Sequence, residues 1–169
     1  MDPILDKARG QQNALERLVN YIPGFKGYNE KELRRDADRV QREYLASRLD
    51  EAKKYLDQIA ATASRMGALD AINDVETARK RVDKVANRIR YADRGYAGFF
   101  DAIKVDEVAL ERVYQFDLAL VDNVEAARTA AQAAPGSQNV VEGVRTLISH
   151  LDVMDGALAD RESLLTGIR

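Results

Sequence analysis

The sequence predicts an all-α protein, an elongated up-down antiparallel bundle of about five helices in which the second helix is long. An uninterrupted amphipathic stretch runs from Asn29 to about Met66, and no run of residues has the alternating pattern of a β-strand. Charged residues make up 32% of the chain and aromatic residues only 7%, which favours helices over sheets. Because 169 residues is about the length of one domain, we expect residues 1–169 to form a single helical bundle.

The long second helix is predicted from the spacing of its apolar residues. They recur every three or four positions, which places them on one helical face, while charged residues such as Arg34 and Arg42 fall on the opposite, solvated face. Asn29 with Glu32 has the pattern of an N-terminal capping box. At 1.5 Å per residue the helix would be roughly 55 Å long. The predicted apolar face comprises Leu33, Ala37, Val40, Tyr44, Leu45, Leu49, Ala52, Leu56, Ile59, Ala63 and Met66.

The ends of the other helices are assigned from capping and breaking residues. Asp and Asn side chains can accept a hydrogen bond from an unpaired backbone N–H, whereas Gly and Pro end helices. The predicted starts are Asp2 with Pro3, Asn73 with Glu76, Asp106, and Asn139 with Glu142. The predicted ends are Pro23-Gly24, Gly67, Gly95 and Pro135-Gly136. The connections between these helices are short, which favours antiparallel neighbours.

The charges are unevenly distributed, although the net charge is only −2. Lys and Arg exceed Asp and Glu in residues 1–95, and the acids are in excess in residues 96–169. The simpler interpretation is that the two halves pack together and complement each other. The alternative is that the basic half binds a partner.

The composition also restricts the environment and the chemistry. The N-terminus carries acids where a signal peptide needs a basic region, and no apolar run is long enough for a membrane-spanning helix. The chain has no Cys, so disulfides, thiol catalysis and Cys-based zinc sites are excluded. We therefore expect a cytoplasmic protein with no transmembrane segment.

Aromatic residues gather in two predicted connections, between the first and second helices and between the third and fourth. In an up-down bundle these connections lie at the same end. The aromatic side chains could close the open end of the core, or they could form a recognition surface for a protein partner or a second copy. The residues predicted to bind a partner in the second case are Phe25, Tyr28, Tyr96, Phe99 and Phe100.

The third predicted helix carries a row of cations. Lys80, Lys84 and Arg88 are spaced four residues apart and Arg81 lies beside them, so one face of this helix is positive. Such a face is typically solvated or paired within the chain. As an alternative function it could meet an anionic surface, either a membrane or a nucleic acid. Because no nucleic-acid-binding motif surrounds it, a nucleic-acid partner is not expected.

No catalytic residues, cofactor or metal site are predicted. His150 is the only histidine and lies beside an apolar face, and the paired Glu-x-x-His motifs of dimetal bundles are absent from the sequence. There is also no phosphate-binding loop, dinucleotide fingerprint or nucleophile elbow. The sequence is therefore best interpreted as a non-enzymatic interaction or scaffolding module that binds a partner protein or itself as a homo-oligomer. Peripheral contact with a membrane remains the alternative.

Overall fold

The computed structural model describes residues 14–92, 107–136 and 139–167, and these residues confirm the all-α fold class. They contain five α-helices and no strand. Helix α1 covers residues 14–21, α2 Arg34–Arg65, α3 Leu69–Arg90, α4 Glu107–Ala133 and α5 Val140–Gly167. Short 3-10 helices, Lys31–Leu33 and Ala134–Gly136, precede α2 and follow α4. The predicted start at Asp2, the end at Gly95 and the cap at Asp106 lie outside the described residues.

Helix α2 ends as the sequence predicts. Gly67 has φ +66°, the left-handed conformation that favours glycine. Its N–H donates to the Ser64 carbonyl at 3.2 Å, and the Ala68 N–H donates to the Ala63 carbonyl at 2.9 Å, which together form a Schellman motif. The motif satisfies the last carbonyls of α2 and turns the chain directly into α3.

Two predicted capping boxes are wrong, because the chain enters these helices in other ways. α2 begins after the 3-10 turn rather than at Asn29, and Leu33 at its N-cap position makes no side-chain capping bond. α3 begins at Leu69, immediately after the Schellman turn, so Asn73 lies inside the helix. The third box is confirmed, since the Glu142 N–H donates to Asn139 Oδ1 at 3.1 Å before α5.

Helices α2 and α3 form one antiparallel hairpin, and α4 and α5 form a second. In the first hairpin Lys53 pairs with Asp83 at 2.6 Å and Asp57 pairs with Arg79, so the residue numbers run in opposite directions. In the second, Asp117 bonds to Arg161 at one end, and Ala134 lies against Gly143 at the other. The two short turns therefore connect antiparallel neighbours, as expected.

The two hairpins pack side by side, so that α2 lies parallel to α4 and α3 lies parallel to α5. α3 contacts α5 and α2 contacts α4 extensively, whereas α3 and α4 do not pack extensively within the described part of the chain. Between α3 and α5, Asp74 pairs with Arg145 and Arg81 pairs with Asp152, so the residue numbers rise together. The consecutive helices α3 and α4 thus lie on a diagonal of the bundle, and the prediction that a short connection makes them neighbours is wrong for this pair. The connection over residues 91–106 is longer than either hairpin turn, which makes this order possible.

The core runs along the centre of the four long helices. It is built mainly from Leu, Val, Ile and Ala side chains at the predicted helical spacing. Leu33 and Met66, which the spacing places on the apolar face of α2, are exposed because each lies just outside that helix. The complementary packing of the basic and acidic halves is confirmed by the ion pairs between α3 and α5.

Candidate functional site

The buried polar side chains of the bundle form one cluster near the C-terminal end of α3. Among the residues that the structure describes, the buried charged and amide side chains are Arg34, Asp38, Gln41, Arg42, Asp117 and Arg161. They come from α2, α4 and α5, so three helices contribute to a single level of the bundle. Burying charge is costly unless it is paired, which makes this cluster the most constrained polar group in the described fold.

Arg161 is the centre of the cluster, with a side chain that is only 3% exposed. Its Nε donates to Asp117 Oδ1 at 2.7 Å, and its Nη2 donates to Asp38 Oδ1 at 3.0 Å. The same Nη2 lies 3.4 Å from Gln41 Oε1. One guanidinium therefore joins α5 to its neighbour α4 and, across the diagonal, to α2.

Tyr28 connects the segment before α2 to the same cluster. Its hydroxyl donates to Asp117 Oδ2 at 2.5 Å, and its backbone N–H donates to the Tyr114 hydroxyl at 2.7 Å. The two tyrosine rings are stacked with centroids 5.4 Å apart. Arg34 Nε donates to the Tyr28 carbonyl at 2.6 Å. Gly27 permits this approach, because its φ is +88° and a Cβ there would lie 2.8 Å from the Tyr114 hydroxyl.

Arg42 extends the cluster to the end of α3. Its Nε donates to Asp38 Oδ2 at 2.7 Å, and its Nη1 donates to the carbonyl of Arg90, the last residue of α3, at 2.9 Å. A cation in this position satisfies an unpaired carbonyl and complements the negative end of the helix dipole. Arg34 and Arg42 are thus buried, and the prediction that they lie on the solvated face is wrong.

The ionisation of the cluster follows from burial and from its facing charges. Burial disfavours the charge of Arg161, but the carboxylates of Asp117 and Asp38 more than offset this and hold the pKa of Arg161 well above its ordinary value. Burial, reinforced by the charge of Asp117, raises the pKa of Tyr28 well above 10.0. Burial also raises the pKa of Asp117, while Arg161 and the Tyr28 hydroxyl act in the opposite direction. Arg161 is therefore a permanent cation and Tyr28 a neutral donor.

The groups of the cluster bond to one another, and this decides what they can do chemically. Both oxygens of Asp38 and both of Asp117 accept hydrogen bonds from inside the protein. Gln41 Nε2 is the buried side-chain nitrogen, among the described residues, that has no partner. The arrangement holds helices in place; it does not present a carboxylate to a substrate in solvent. Within the described ranges no group of three His, Asp or Glu residues could hold a metal ion.

The residues predicted from the sequence to bind a partner fall into two groups. Phe25 and Tyr28 are 2% and 0% exposed, so assigning them to a recognition surface is wrong: they belong to the core. Their rings meet edge to face with centroids 5.4 Å apart, and Tyr28 is held as described above. This agrees with the alternative that aromatic side chains close the core. Tyr96, Phe99 and Phe100 lie outside the described residues.

The exposed large apolar side chains lie mostly at helix ends. Met66 and Leu69 flank the turn between α2 and α3, and we call this pair the turn end. In the opposite half of the bundle, Tyr91 follows the last residue of α3 and is 65% exposed. We call the exposed large apolar residues next to helix termini in that half the aromatic end, and they are Tyr21, Leu33, Tyr91 and Val108. Val19 is exposed on the side of α1. Val153 is exposed on the side of α5.

The basic face of α3 is largely paired with α5. Arg81 bonds to Asp152 at 2.6 Å, Lys84 bonds to Asp155 at 2.7 Å, and Arg88 bonds to Glu162 at 2.9 Å. Lys80 is exposed. Pairing within the chain was the simpler of the two interpretations of this face, and three of its four cations have that arrangement.

The charged cluster is not among the sites predicted from the sequence, although the sequence contains a signal for it. Asp38, Asp117 and Arg161 each lie seven residues from a buried apolar residue of the same helix, namely Leu45, Val124 and Met154. A charge at such a position is directed into the core and needs a partner there. Searching the apolar faces for charged members would have identified these three residues, but not which of them meet.

Comparison with models of protein families, with curated proteins and with solved structures finds no match for this chain. Within the described residues, no helix combines the length and the apolar character needed to cross a membrane.

Proposed function

We propose that this chain is a non-enzymatic interaction module that binds another protein chain, a partner or a second copy, through the ends of its helices. The observation that carries the proposal is the position of the exposed large apolar side chains. Met66, Leu69 and Tyr91 are more than half exposed, and each lies next to a helix terminus. Apolar side chains held in water at fixed positions are typical of protein contact sites.

The sides of the bundle have a different character. Neighbouring helices are joined along their flanks by ion pairs, for example Arg48 with Glu125 at 2.6 Å between α2 and α4. Charged flanks of this kind remain solvated at little cost, and they discourage apolar association along the length of the bundle. A partner is therefore expected at an end.

Internal hydrogen bonds order the chain beside two residues of the aromatic end. Tyr91 follows Arg90, whose carbonyl accepts a bond from Arg42, and Leu33 precedes Arg34, which bonds to the Tyr28 carbonyl. Side chains on a backbone that is already ordered lose less conformational entropy when a partner binds. The lower entropy cost supports a role for the aromatic end as a surface that contacts another protein chain.

The proposal is tested by altering each end separately. Met66→Ser with Leu69→Ser changes the turn end, and Leu33→Ser with Tyr91→Ser changes the aromatic end. Val153→Ser is the matched control, because it removes an apolar side chain that is similarly exposed on a helix side. All variants should keep the helical circular dichroism of the wild type.

Two measurements follow for each variant. Sedimentation over a range of concentrations measures self-association, and quantitative capture from a lysate of the source organism measures binding to other proteins. We expect one end variant to lose an oligomer or a captured protein that the Val153→Ser control retains. If the wild type stays monomeric and both end variants capture the same proteins as the control, the proposal is wrong. Phe99→Ser with Phe100→Ser applies the same test to the aromatic residues predicted from sequence.

The alternative, binding of an anionic surface through Lys80, Arg81, Lys84 and Arg88, requires most of these cations to exchange their partners on α5. It would be supported by flotation of the wild type, but not of an Arg81→Gln/Lys84→Gln variant, with anionic vesicles at low salt.

A further inference from the structure

The buried residues of three helices repeat every seven positions, and in each repeat one member is charged. A seven-residue repeat places equivalent side chains above one another along a helix in a bundle. The series are Asp38, Leu45, Ala52 and Ile59 in α2; Leu110, Asp117, Val124 and Ala131 in α4; and Val140, Leu147, Met154 and Arg161 in α5.

The three charged members occupy the same level of the bundle. Arg161 bonds to Asp117 at 2.7 Å and to Asp38 at 3.0 Å, and we call these three residues the ionic layer. Moving away from it along the bundle, the next members are Leu45, Val124 and Met154, which are all apolar. The core thus consists of similar apolar layers and one ionic layer.

We infer that the ionic layer fixes the axial register of the second hairpin against the first. If the second hairpin moved by seven residues, its apolar members would again meet apolar members, so the apolar layers barely distinguish the two registers. The ionic layer does distinguish them. A shift in one direction sets Asp38 against Val124 and Met154, and a shift in the other sets it against Leu110. In both cases Asp38 keeps its bond from Arg42 of the same helix, but its Oδ1 loses Arg161 and is buried against apolar side chains without a donor from the second hairpin.

The connections between helices explain why the register between the two hairpins is not set by a turn. Within each hairpin a short turn sets the register, but the hairpins are joined by the longer connection over residues 91–106. The facing helices α3 and α5 are parallel and are separated in the chain by α4, so no turn links them directly. Register between the hairpins must therefore be encoded in the residues that face each other.

The flank of α3 and α5 supports the same register independently. Asp74 pairs with Arg145 at 3.1 Å, whereas seven residues further along Arg81 pairs with Asp152 at 2.6 Å, so the polarity of the pair is reversed. A seven-residue shift in one direction would bring Arg81 opposite Arg145, and the opposite shift would bring Asp74 opposite Asp152. Like charges would then face each other in either shifted register.

The test replaces the ionic layer with apolar residues of similar size. The apolar-layer variant carries Asp38→Leu, Asp117→Leu and Arg161→Met, with Arg42→Met so that no buried cation loses its carboxylate and Tyr28→Phe so that no hydroxyl is left without its acceptor. Replacing a buried ion cluster in this way is often neutral or stabilising, so the variant should remain folded by circular dichroism. The flank variant Arg48→Met/Glu125→Leu is the matched control, because it removes ionic contacts between the same hairpins outside the ionic layer.

Register is measured with pairs of introduced cysteines, which the natural sequence lacks. Arg81→Cys is combined with Asp152→Cys for the native register and with Arg145→Cys or Ala159→Cys for the two shifted registers. Cross-linking by a short bifunctional reagent is then compared among the pairs in each background.

In the wild-type and flank-variant backgrounds, we expect the native pair to cross-link at least about ten times faster than either shifted pair. In the apolar-layer background, a shifted pair should react within about threefold of the native pair. If the apolar-layer variant keeps the wild-type pattern, the ionic layer does not set the register. If that variant is unfolded, the ionic layer is required for folding and does not select among folded registers. The inference is then equally overturned.

Discussion

Arg161 and Asp38 are 123 residues apart in the sequence, yet Nη2 of the first lies 3.0 Å from Oδ1 of the second across the diagonal of the bundle. Both side chains are 3% exposed. This bond connects the last long helix to the first, and with Asp117 it makes one level of an otherwise apolar core ionic.

Removing the cation alone should be strongly destabilising. Arg161→Met leaves Asp38 and Asp117 buried without their common partner, and breaking a buried ion pair in this way typically costs about 3–5 kcal/mol. The free energy of unfolding should fall by that amount in urea titrations. Arg145→Met is the control, because its pair with Asp74 is exposed and should contribute less than about 1 kcal/mol. Equal losses in the two variants would contradict the assigned role of Arg161.

Two glycines of α5 should respond to alanine in opposite directions. A Cβ at Gly143 would lie 2.8 Å from the Ala134 Cβ and 3.2 Å from the Ala134 Cα, so Gly143→Ala should destabilise the second hairpin by about 1–3 kcal/mol. Gly156 has open space around the same position, and Gly156→Ala should stabilise the helix by about 0.5–1 kcal/mol. Thermal unfolding of the two single variants measures both effects. A destabilising Gly156→Ala would count against the helix packing described.

Alkaline pH should reveal the buried Tyr28 and the half-buried Tyr44. Burial and its bond to Glu125 raise the pKa of Tyr44 to about 12, and burial with the charge of Asp117 raises the pKa of Tyr28 well above 10.0. Because both values are raised, the neutral phenols contribute stability that is complete below the ordinary value of 10.0 and is lost as the pH rises towards the folded values. Absorbance of tyrosinate should therefore show a late phase that coincides with unfolding.

Denatured protein is the control for this titration, since its tyrosines should ionise together. Tyr44→Phe should reduce the late phase in the native protein by the amplitude of one tyrosine. A late phase of unchanged size would show that Tyr44 is not one of the protected phenols.

Acid pH should weaken the contact between α3 and α5. The bond from Lys84, followed by that from Arg88, lowers the pKa of Asp155 below its ordinary value of 3.8. A lowered pKa means that Asp155 contributes stability above 3.8 that is lost as the pH falls through its folded value. The difference in unfolding free energy between the wild type and Asp155→Asn should therefore be largest at neutral pH and disappear in strong acid. A difference that does not change with pH would contradict this ionic role.

Local sequence was sufficient for the helices and for several of their ends. Gly67 ends α2 in the left-handed conformation, and Asn139 caps α5, because each effect depends on residues within one turn. At Asn29 and Asn73, by contrast, a local capping pattern is present but no helix begins. At Asn29 the chain is still held by Tyr28, and at Asn73 the turn had already begun the helix. A capping pattern marks a possible helix start, and contacts with the rest of the protein decide whether a helix begins there.

The sequence by itself determined that this protein is helical, that its second helix is long, and that its two halves carry complementary charge. These properties follow from the periodicity of the apolar residues and from composition, which act over a few residues at a time. Only the tertiary structure decided that α3 and α5 are parallel neighbours, that Phe25 and Tyr28 are core residues, and that Asp38, Asp117 and Arg161 meet. A seven-residue repeat shows which side chains point inward, but which partner each one meets depends on how the helices are arranged around the core. That arrangement is set by contacts between residues far apart in the chain.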